Sequence, residues 1–245
     1  MSAVADTQLG YADFLHLDTL LSLQRESQEV LDAHFFFTVH QVFELQFKML
    51  LYELDRAVYA IAADDLGRAR YCLRRVRAIE DVTVAQLATL ETISPGSFAA
   101  LRRTLASSSG LQSVQYREIE FVSGRKDPDL LSRAGLTEAE RGRLAHRLAA
   151  PSLWDEFCAL LRRRGDPDLL AEYRTEVPCG ELAQLAEALV DHDEGMILWR
   201  TRHLAMVERI IGGQAGTGGS TGVGYLRAGA DTKFFPSLWQ LRGAL

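Results

Sequence analysis

Between His34 and Ala62 the apolar positions Phe43, Phe47, Leu50, Leu51, Leu54 and Val58 recur at steps of three and four. That period puts them on one stripe of a helix facing a core. Glu44 and Lys48 stand four apart on the same segment, an expected side-chain pair of about 0.3 kcal/mol. Asp64 or Asp65 is placed to cap a second helix running to about Thr92, since a short acidic side chain can accept from the free N–H groups of a first turn. Its expected core positions are Leu73, Val76, Ile79, Val82, Val84, Leu87 and Leu90. Ser94-Pro95 starts a shorter helix with a capping hydroxyl ahead of a first-turn proline. Ser107-Ser108-Ser109-Gly110 interrupts the chain before a helix through Gln115 and Phe121, and Asp127-Pro128, Thr137 and Pro151-Ser152 open further short pieces. A long helix is predicted from about Glu181 to Ile211, stopping at Gly212-Gly213. No period-two alternation is sustained enough for a sheet, and there is no internal repeat. The pattern predicts an all-α, single-domain helical bundle over residues 1–245.

Composition bounds that picture without redirecting it. A chain of 245 residues can bury one substantial core, and 47% hydrophobic with 24% charged residues is ordinary for a globular protein. A formal charge of −6 gives no nucleic-acid surface, and Arg162-Arg163-Arg164 reads as a solvated helix end among acidic neighbours. Cys72, Cys158 and Cys179 make neither a disulfide framework nor a C-x-x-C pair, so a reducing, cytoplasmic setting is expected. The start of the chain has no signal-peptide pattern, and no run of eighteen apolar residues predicts a membrane span.

Chemistry concentrates near the C-terminal end. Leu198-Trp199-Arg200-Thr201-Arg202-His203 sets one histidine in an apolar helical run, with Met196, Trp199, Val207 and Ile210 at helical spacing around it. A neutral imidazole projecting from such a helix can serve as an axial ligand to haem iron, or can be a hydrogen-bonded core residue. The loop Gly216-Thr217-Gly218-Gly219-Ser220-Thr221-Gly222 can bring backbone N–H groups and hydroxyls against charged groups. It carries neither the G-K-[ST] of a phosphate loop nor a preceding strand. His40 lies on the first long helix, where it can face a pocket or pair with Glu44.

The order of these residues resembles the tryptophan 2,3-dioxygenase family. W-x3-H, V-x-R-I-I-G, G-T-G-G-S-T-G-x-x-Y-L and F-F-P-x-L-W-x-x-R are similar to its C-terminal signature. Phe36-Phe37-Thr38-Val39-His40-Gln41-Val42-Phe43-Glu44-Leu45, with Lys48, looks like its distal helix, and Ser109 through Glu120 resembles its S-G-F-Q-S-x-Q-x-R-x-x-E block. The resemblance implies a haem b held by His203 with Trp199 on its wall, and His40 as the residue that orients an indole. It implies Arg102 on a substrate carboxylate, with Phe98 beside it. Thr217 would take the ammonium together with a haem propionate, with Gly216 and Gly218 alongside, and Phe36 would pack on the indole face. Ser109 and Gly110 would line the oxygen side. Tyr11, Phe14 and Leu15 match a segment that reaches a neighbouring subunit in the family, which implies a homo-oligomer, a tetramer or a dimer. Substrate and co-substrate would be tryptophan, or a substituted tryptophan, and O2.

Several positions depart from the family pattern. Phe98 and Phe14 stand where tyrosines are usual, Gln46 replaces a tryptophan, and the stretch from about Arg164 to Val190 is short. Loss of a hydroxyl from a buried carboxylate site removes a hydrogen bond worth about 1 kcal/mol. Mono-oxygenation to a 2-oxindole in secondary metabolism, on tryptophan or β-methyl-tryptophan, therefore stands beside ring opening as an expectation. A non-catalytic haem sensor or carrier is a third.

Overall fold

The computed structural model describes residues 10–24, 30–105, 110–133, 135–175, 177, 180–216 and 221–245. Its order is α1 (Tyr11–Leu15), α2 (Leu17–Ser22), α3 (Ala33–Ala62), α4 (Leu66–Leu90), α5 (Pro95–Leu105) and α6 (Val114–Ser123). Then follow α7 (Glu138–Ala149), α8 (Leu153–Arg163), α9 (Leu169–Tyr173), α10 (Glu181–Ile211), α11 (Val223–Gly229) and α12 (Pro236–Leu241). No strand occurs among the described residues.

Three long helices make the frame: α4 packs against both α3 and α10, and α6 and α8 pack against α3. Their contact faces alternate large and small side chains. Leu50, Leu54, Leu73, Leu87 and Leu189 fill the core while Ala57, Ala60, Ala69, Ala183 and Ala186, all fully buried, let the helix axes approach. A chain reversal after α3 is made by Asp64 at φ 59° and closed by Asp65, whose carboxylate accepts from the Arg68 amide at 3.0 Å. Thr137 and Ser152 open α7 and α8 with reciprocal capping boxes to Glu140 and Asp155. The Asp127-Pro128 signal yields a short 3₁₀ turn, Pro128–Ser132.

Two expected contacts differ. Val82 is 58% exposed and belongs to the solvent face of α4. The Glu44 carboxylate accepts from Gln115 Nε2 at 2.8 Å instead of turning to Lys48. A part-buried amide donor on α6 wins over an exposed ammonium on α3, because the latter pair is screened by water.

Buried polar groups tie the frame together. Asp193 of α10 accepts from the amides of Phe234 and Phe235 and from Trp239 Nε1, at 2.9 to 3.0 Å, so the F-F-P-x-L-W segment is pinned beneath α10. The residue before it, His192, bridges Glu80 at 2.7 Å and Ser123 at 2.8 Å. The Ser123 hydroxyl donates to the Ile119 carbonyl, so it accepts from His192 Nε2. Gly195 makes room for this bridge: a Cβ there would lie 2.2 Å from a Glu80 oxygen.

Candidate active site

α3, α4, α5, α10 and α11, with the start of α6, enclose a cavity of about 670 Å³. That size falls within the range of about 300–1,000 Å³ usual for ligand and cofactor sites. Its walls are mainly apolar: Phe36, Phe43 and Phe47 from α3, Leu87 and Leu90 from α4, Phe98 and Leu105 from α5, and Met206, Val207 and Ile210 from α10.

His203 and His40 both line it. The α10 helix presents His203 half-buried, one turn beyond Trp199, with the two rings parallel at 5.0 Å between centroids and 9° between planes. Desolvation, with the nearby His40 imidazole as the lesser cause, holds the His203 pKa down to about 4. The ring is therefore neutral at pH 7, the state in which it offers a lone pair to a metal.

His40 projects from α3 and its Nδ1 lies 2.8 Å from the Phe36 carbonyl. A carbonyl only accepts, so Nδ1 carries the proton and Nε2 is left as an acceptor. Burial lowers the His40 pKa, opposed by the Phe36 carbonyl and then by Glu44. Phe36 covers this ring at 4.0 Å between centroids and meets Phe98 at 5.9 Å. The alternative His40–Glu44 pair is not made by side-chain hydrogen bond; Glu44 holds Gln115.

At the other end, Arg102 donates from Nη1 to Gln214 Oε1 at 2.9 Å and from Nη2 to the Ala215 carbonyl at 2.5 Å. The guanidinium thus ties α5 to the loop after α10. Gly216 lines the cavity next to it, and Gly110 lines the α6 side. Gly222, at φ 66°, folds the loop back so closely that a Cβ would lie 2.5 Å from the Gln214 carbonyl oxygen. Thr217, Gly218 and Ser109 lie outside the described residues.

Other sequence-predicted positions fall elsewhere. Met196 is core and does not reach the cavity, whereas Met206 does. Gln46 is buried between α3 and α4, donating to Gln86 Oε1 at 2.7 Å, so this departure replaces bulk in a helix interface and leaves the cavity wall unchanged. Tyr11 and Phe14 on α1 are 78% and 71% exposed, and Leu15 is exposed too; none lines this chain's own cavity. Residues given no role from sequence also appear. Tyr116, Arg117 and Glu120 of α6, Arg200 of α10 and Tyr225 of α11 line one polar end. The first three sit inside the block from Ser109 to Glu120, and Arg200 directly follows Trp199, so the signal was their adjacency to the motifs.

A planar porphyrin fits what is here: apolar walls, a neutral imidazole on one side, and buried N–H donors at Trp199 Nε1, Arg117 Nε and Arg200 Nη1 that have no acceptor among the described residues. Fold and site together define a helical protein built around one histidine-faced cavity with a basic end.

Comparison with known proteins makes the class specific. A family model described as tryptophan 2,3-dioxygenase matches residues 2–134 and 168–245. The tryptophan 2,3-dioxygenase of Nocardioides sp. is 43% identical, covering 97% of this chain and 95% of that protein. Those of Herpetosiphon aurantiacus and Anaeromyxobacter dehalogenans are 41% and 39% identical, each over 97% of this chain. The chain belongs to the tryptophan 2,3-dioxygenase family. The unmatched stretch, 135–167, holds α7 and α8 and precedes most of the segment that the sequence marked as short.

Proposed function

We propose that the chain is a haem b-dependent oxidoreductase that opens the indole ring of L-tryptophan with O2, giving an N-formylkynurenine-type product. The observation that carries this reading is the pair of neutral imidazoles on one apolar cavity, with His40 Nε2 free to accept. His203 would hold the iron. When bound, the haem supplies the oxygen chemistry, which protein side chains cannot perform alone. His40 accepts the indole N–H and fixes which edge of the ring faces the oxygen. Phe36 packs on the indole face with Phe98 beside it, and the two exclude water and hold the ring near the cofactor face. Arg102 takes the carboxylate in exchange for, or together with, its bonds to Gln214 and Ala215, so substrate and loop compete for or share one guanidinium. Thr217 and Gly218 complete the ammonium side, with Gly216, Ser109 and Gly110 on the cofactor.

In this reaction the C2=C3 bond breaks and each carbon gains one oxygen atom, so no outside electrons are consumed. The three relatives compared above are named as dioxygenases, which favours ring opening over mono-oxygenation to an oxindole and over a haem carrier. Phe98 leaves the carboxylate with Arg102 but no neighbouring phenol on α5.

A homo-oligomer is part of the proposal. Exposed Phe35, Val42, Leu45, Met49, Tyr52 and Tyr59 repeat at steps of seven, three and four residues along the outer face of α3. Such a stripe is what a second helix packs against. No described helix is long and apolar enough to cross a membrane; a cytoplasmic enzyme acting on small molecules, without nucleic acid, is the setting proposed.

The cofactor assignment is checked by His203→Ala. It is expected to abolish stoichiometric haem binding, read as loss of the Soret band after reconstitution, while the far-ultraviolet circular dichroism stays helical. Full retention of haem in a folded variant overturns the ligand assignment.

A further inference from the structure

Two helices hold the two ends of the substrate, and one side-chain contact sets how they stand to each other. From the start of α3, Asp32, Phe36 and His40 follow at steps of four, and on α5 so do Phe98 and Arg102, so each set shares a helix face. His40 takes the indole N–H and Arg102 the carboxylate in the reading above. The span between α3 and α5 therefore has to match the molecule that bridges them.

That span is fixed where the two helices begin. The Ser97 hydroxyl donates to Asp32 Oδ2 at 2.7 Å and faces the Leu31 carbonyl at 3.2 Å. The start of α5 does not need this hydroxyl, because the Ser94 hydroxyl already accepts from the Ser97 amide at 3.1 Å. Asp32 is the N-cap of α3, a position where an aspartate ordinarily lies in extended backbone and accepts from first-turn amides. Here it stands at φ 65°, in the left-handed region, and its side chain makes no cap bond. Its carbonyl still starts the helix, accepting from the Phe36 amide at 2.8 Å, while its carboxylate is given to α5. A side chain that forgoes its local bond, on a backbone held in a sparsely populated conformation, marks a position fixed by its contact across helices.

The contact lies in line with the cavity wall. One residue past Ser97 and one turn past Asp32, Phe98 and Phe36 meet at 5.9 Å. A turn further along each helix, Arg102 and His40 line the cavity. The rest of α5 docks on α10, and its far end hangs on Arg102, which donates to Gln214 and Ala215. A carboxylate arriving at Arg102 contends with those bonds, so the attachment at Ser97 is the one that the substrate leaves untouched.

We propose that Asp32 and Ser97 are positioning residues for the substrate: the bond between them sets the distance from Arg102 to His40 and so selects indoles whose side chain carries a carboxylate at the reach of an α-amino acid. This rests on the reading of His40 and Arg102 above and goes beyond it, since neither Asp32 nor Ser97 lines the cavity. Two contact points on a fixed frame bind a bridging ligand more tightly than either does alone, whereas a ligand held at one point is indifferent to the span.

The test is the binding of two ligands to the full-length, haem-loaded protein by isothermal titration: L-tryptophan, and 3-methylindole, which keeps the ring and lacks the amino-acid end. Ser97→Ala is expected to weaken L-tryptophan by about three- to tenfold, part of the worth of a charge-assisted hydrogen bond, and to leave 3-methylindole as in wild type. Asp32→Gly removes the carboxylate and puts a residue at ease with positive φ in its place. It is expected to do the same, and the double variant no more than either single one. Equal weakening of both ligands is what a loosened fold gives and overturns the proposal, as does unchanged binding of L-tryptophan. If wild type binds L-tryptophan no tighter than 3-methylindole, the Arg102 clamp itself fails and the proposal with it, a different outcome that shows before any variant is made.

Discussion

At the residue scale, the proposed function turns on a neutral His203 and on which nitrogen of His40 is free. His40 was visible in sequence as a helical histidine with two readings. What decided between them is a backbone contact, Nδ1 to the Phe36 carbonyl, which no spacing rule announces because the carbonyl is present on every residue. Arg102 was likewise legible as a candidate, but its bonds to Gln214 and Ala215, more than a hundred residues away, were not. These bonds give a prediction. Arg102→Leu is expected to raise KM for L-tryptophan by about 10- to 100-fold, the value of a charge-assisted contact, while the haem spectrum of the substrate-free enzyme is unchanged. An unchanged KM contradicts the clamp. Gln46 teaches the opposite lesson. A departure from the family motif draws attention to the substrate site, whereas the side-chain amide nitrogen donates to Gln86 in a helix interface. A motif position says that a residue differs and leaves open which way it faces.

Among the elements, helix existence and most boundaries were legible because caps and periodicity act locally. α10 runs from Glu181 to Ile211 as its apolar spacing and the following glycines require, and Asp65, Thr137 and Ser152 cap where short polar residues precede apolar runs. Contacts between helices were not legible. The bridge from Glu80 on α4 through His192 on α10 to Ser123 on α6 joins three elements through fully buried groups. Because Ser123 accepts from His192 Nε2, Nδ1 faces Glu80, and a protonated Glu80 can donate to it. Burial raises the Glu80 pKa from its ordinary 4.5, opposed first by His192 and also by Arg77. The sign follows: below about pH 4.5 both folded and unfolded chains hold this proton and the contribution is complete. As pH rises further the unfolded chain ionises first, so the contribution is lost through the raised folded value. Glu80→Gln, which keeps the shape and cannot ionise, is expected to gain stability relative to wild type on going from pH 5 to pH 8, measured by urea unfolding. A difference that is constant or reversed across that range contradicts the assignment.

On the scale of the whole molecule, the all-α architecture was legible, but the closure of one cavity by five helices was not, since it depends on α5 and α11 folding back over α3 and α10. The outer face of α3 carries the matching prediction. Tyr52→Glu combined with Met49→Glu, both on the exposed stripe and away from the cavity, is expected to reduce the assembly to a smaller species in light scattering, with monomer helicity intact. An unchanged mass places the interface elsewhere. If Tyr11, Phe14 and Leu15 complete a neighbour's pocket, activity falls with the mass, because α1 does not reach its own.

The most direct measurement of the central claim is the isotopic content of the product. The haem-loaded, reduced protein is supplied with L-tryptophan and 18O2, and the product is weighed by mass spectrometry. Two labelled oxygens in a compound absorbing as a formylkynurenine are the predicted result, with both atoms of one O2 entering across the broken C2=C3 bond. A single labelled oxygen in an oxindole contradicts the account.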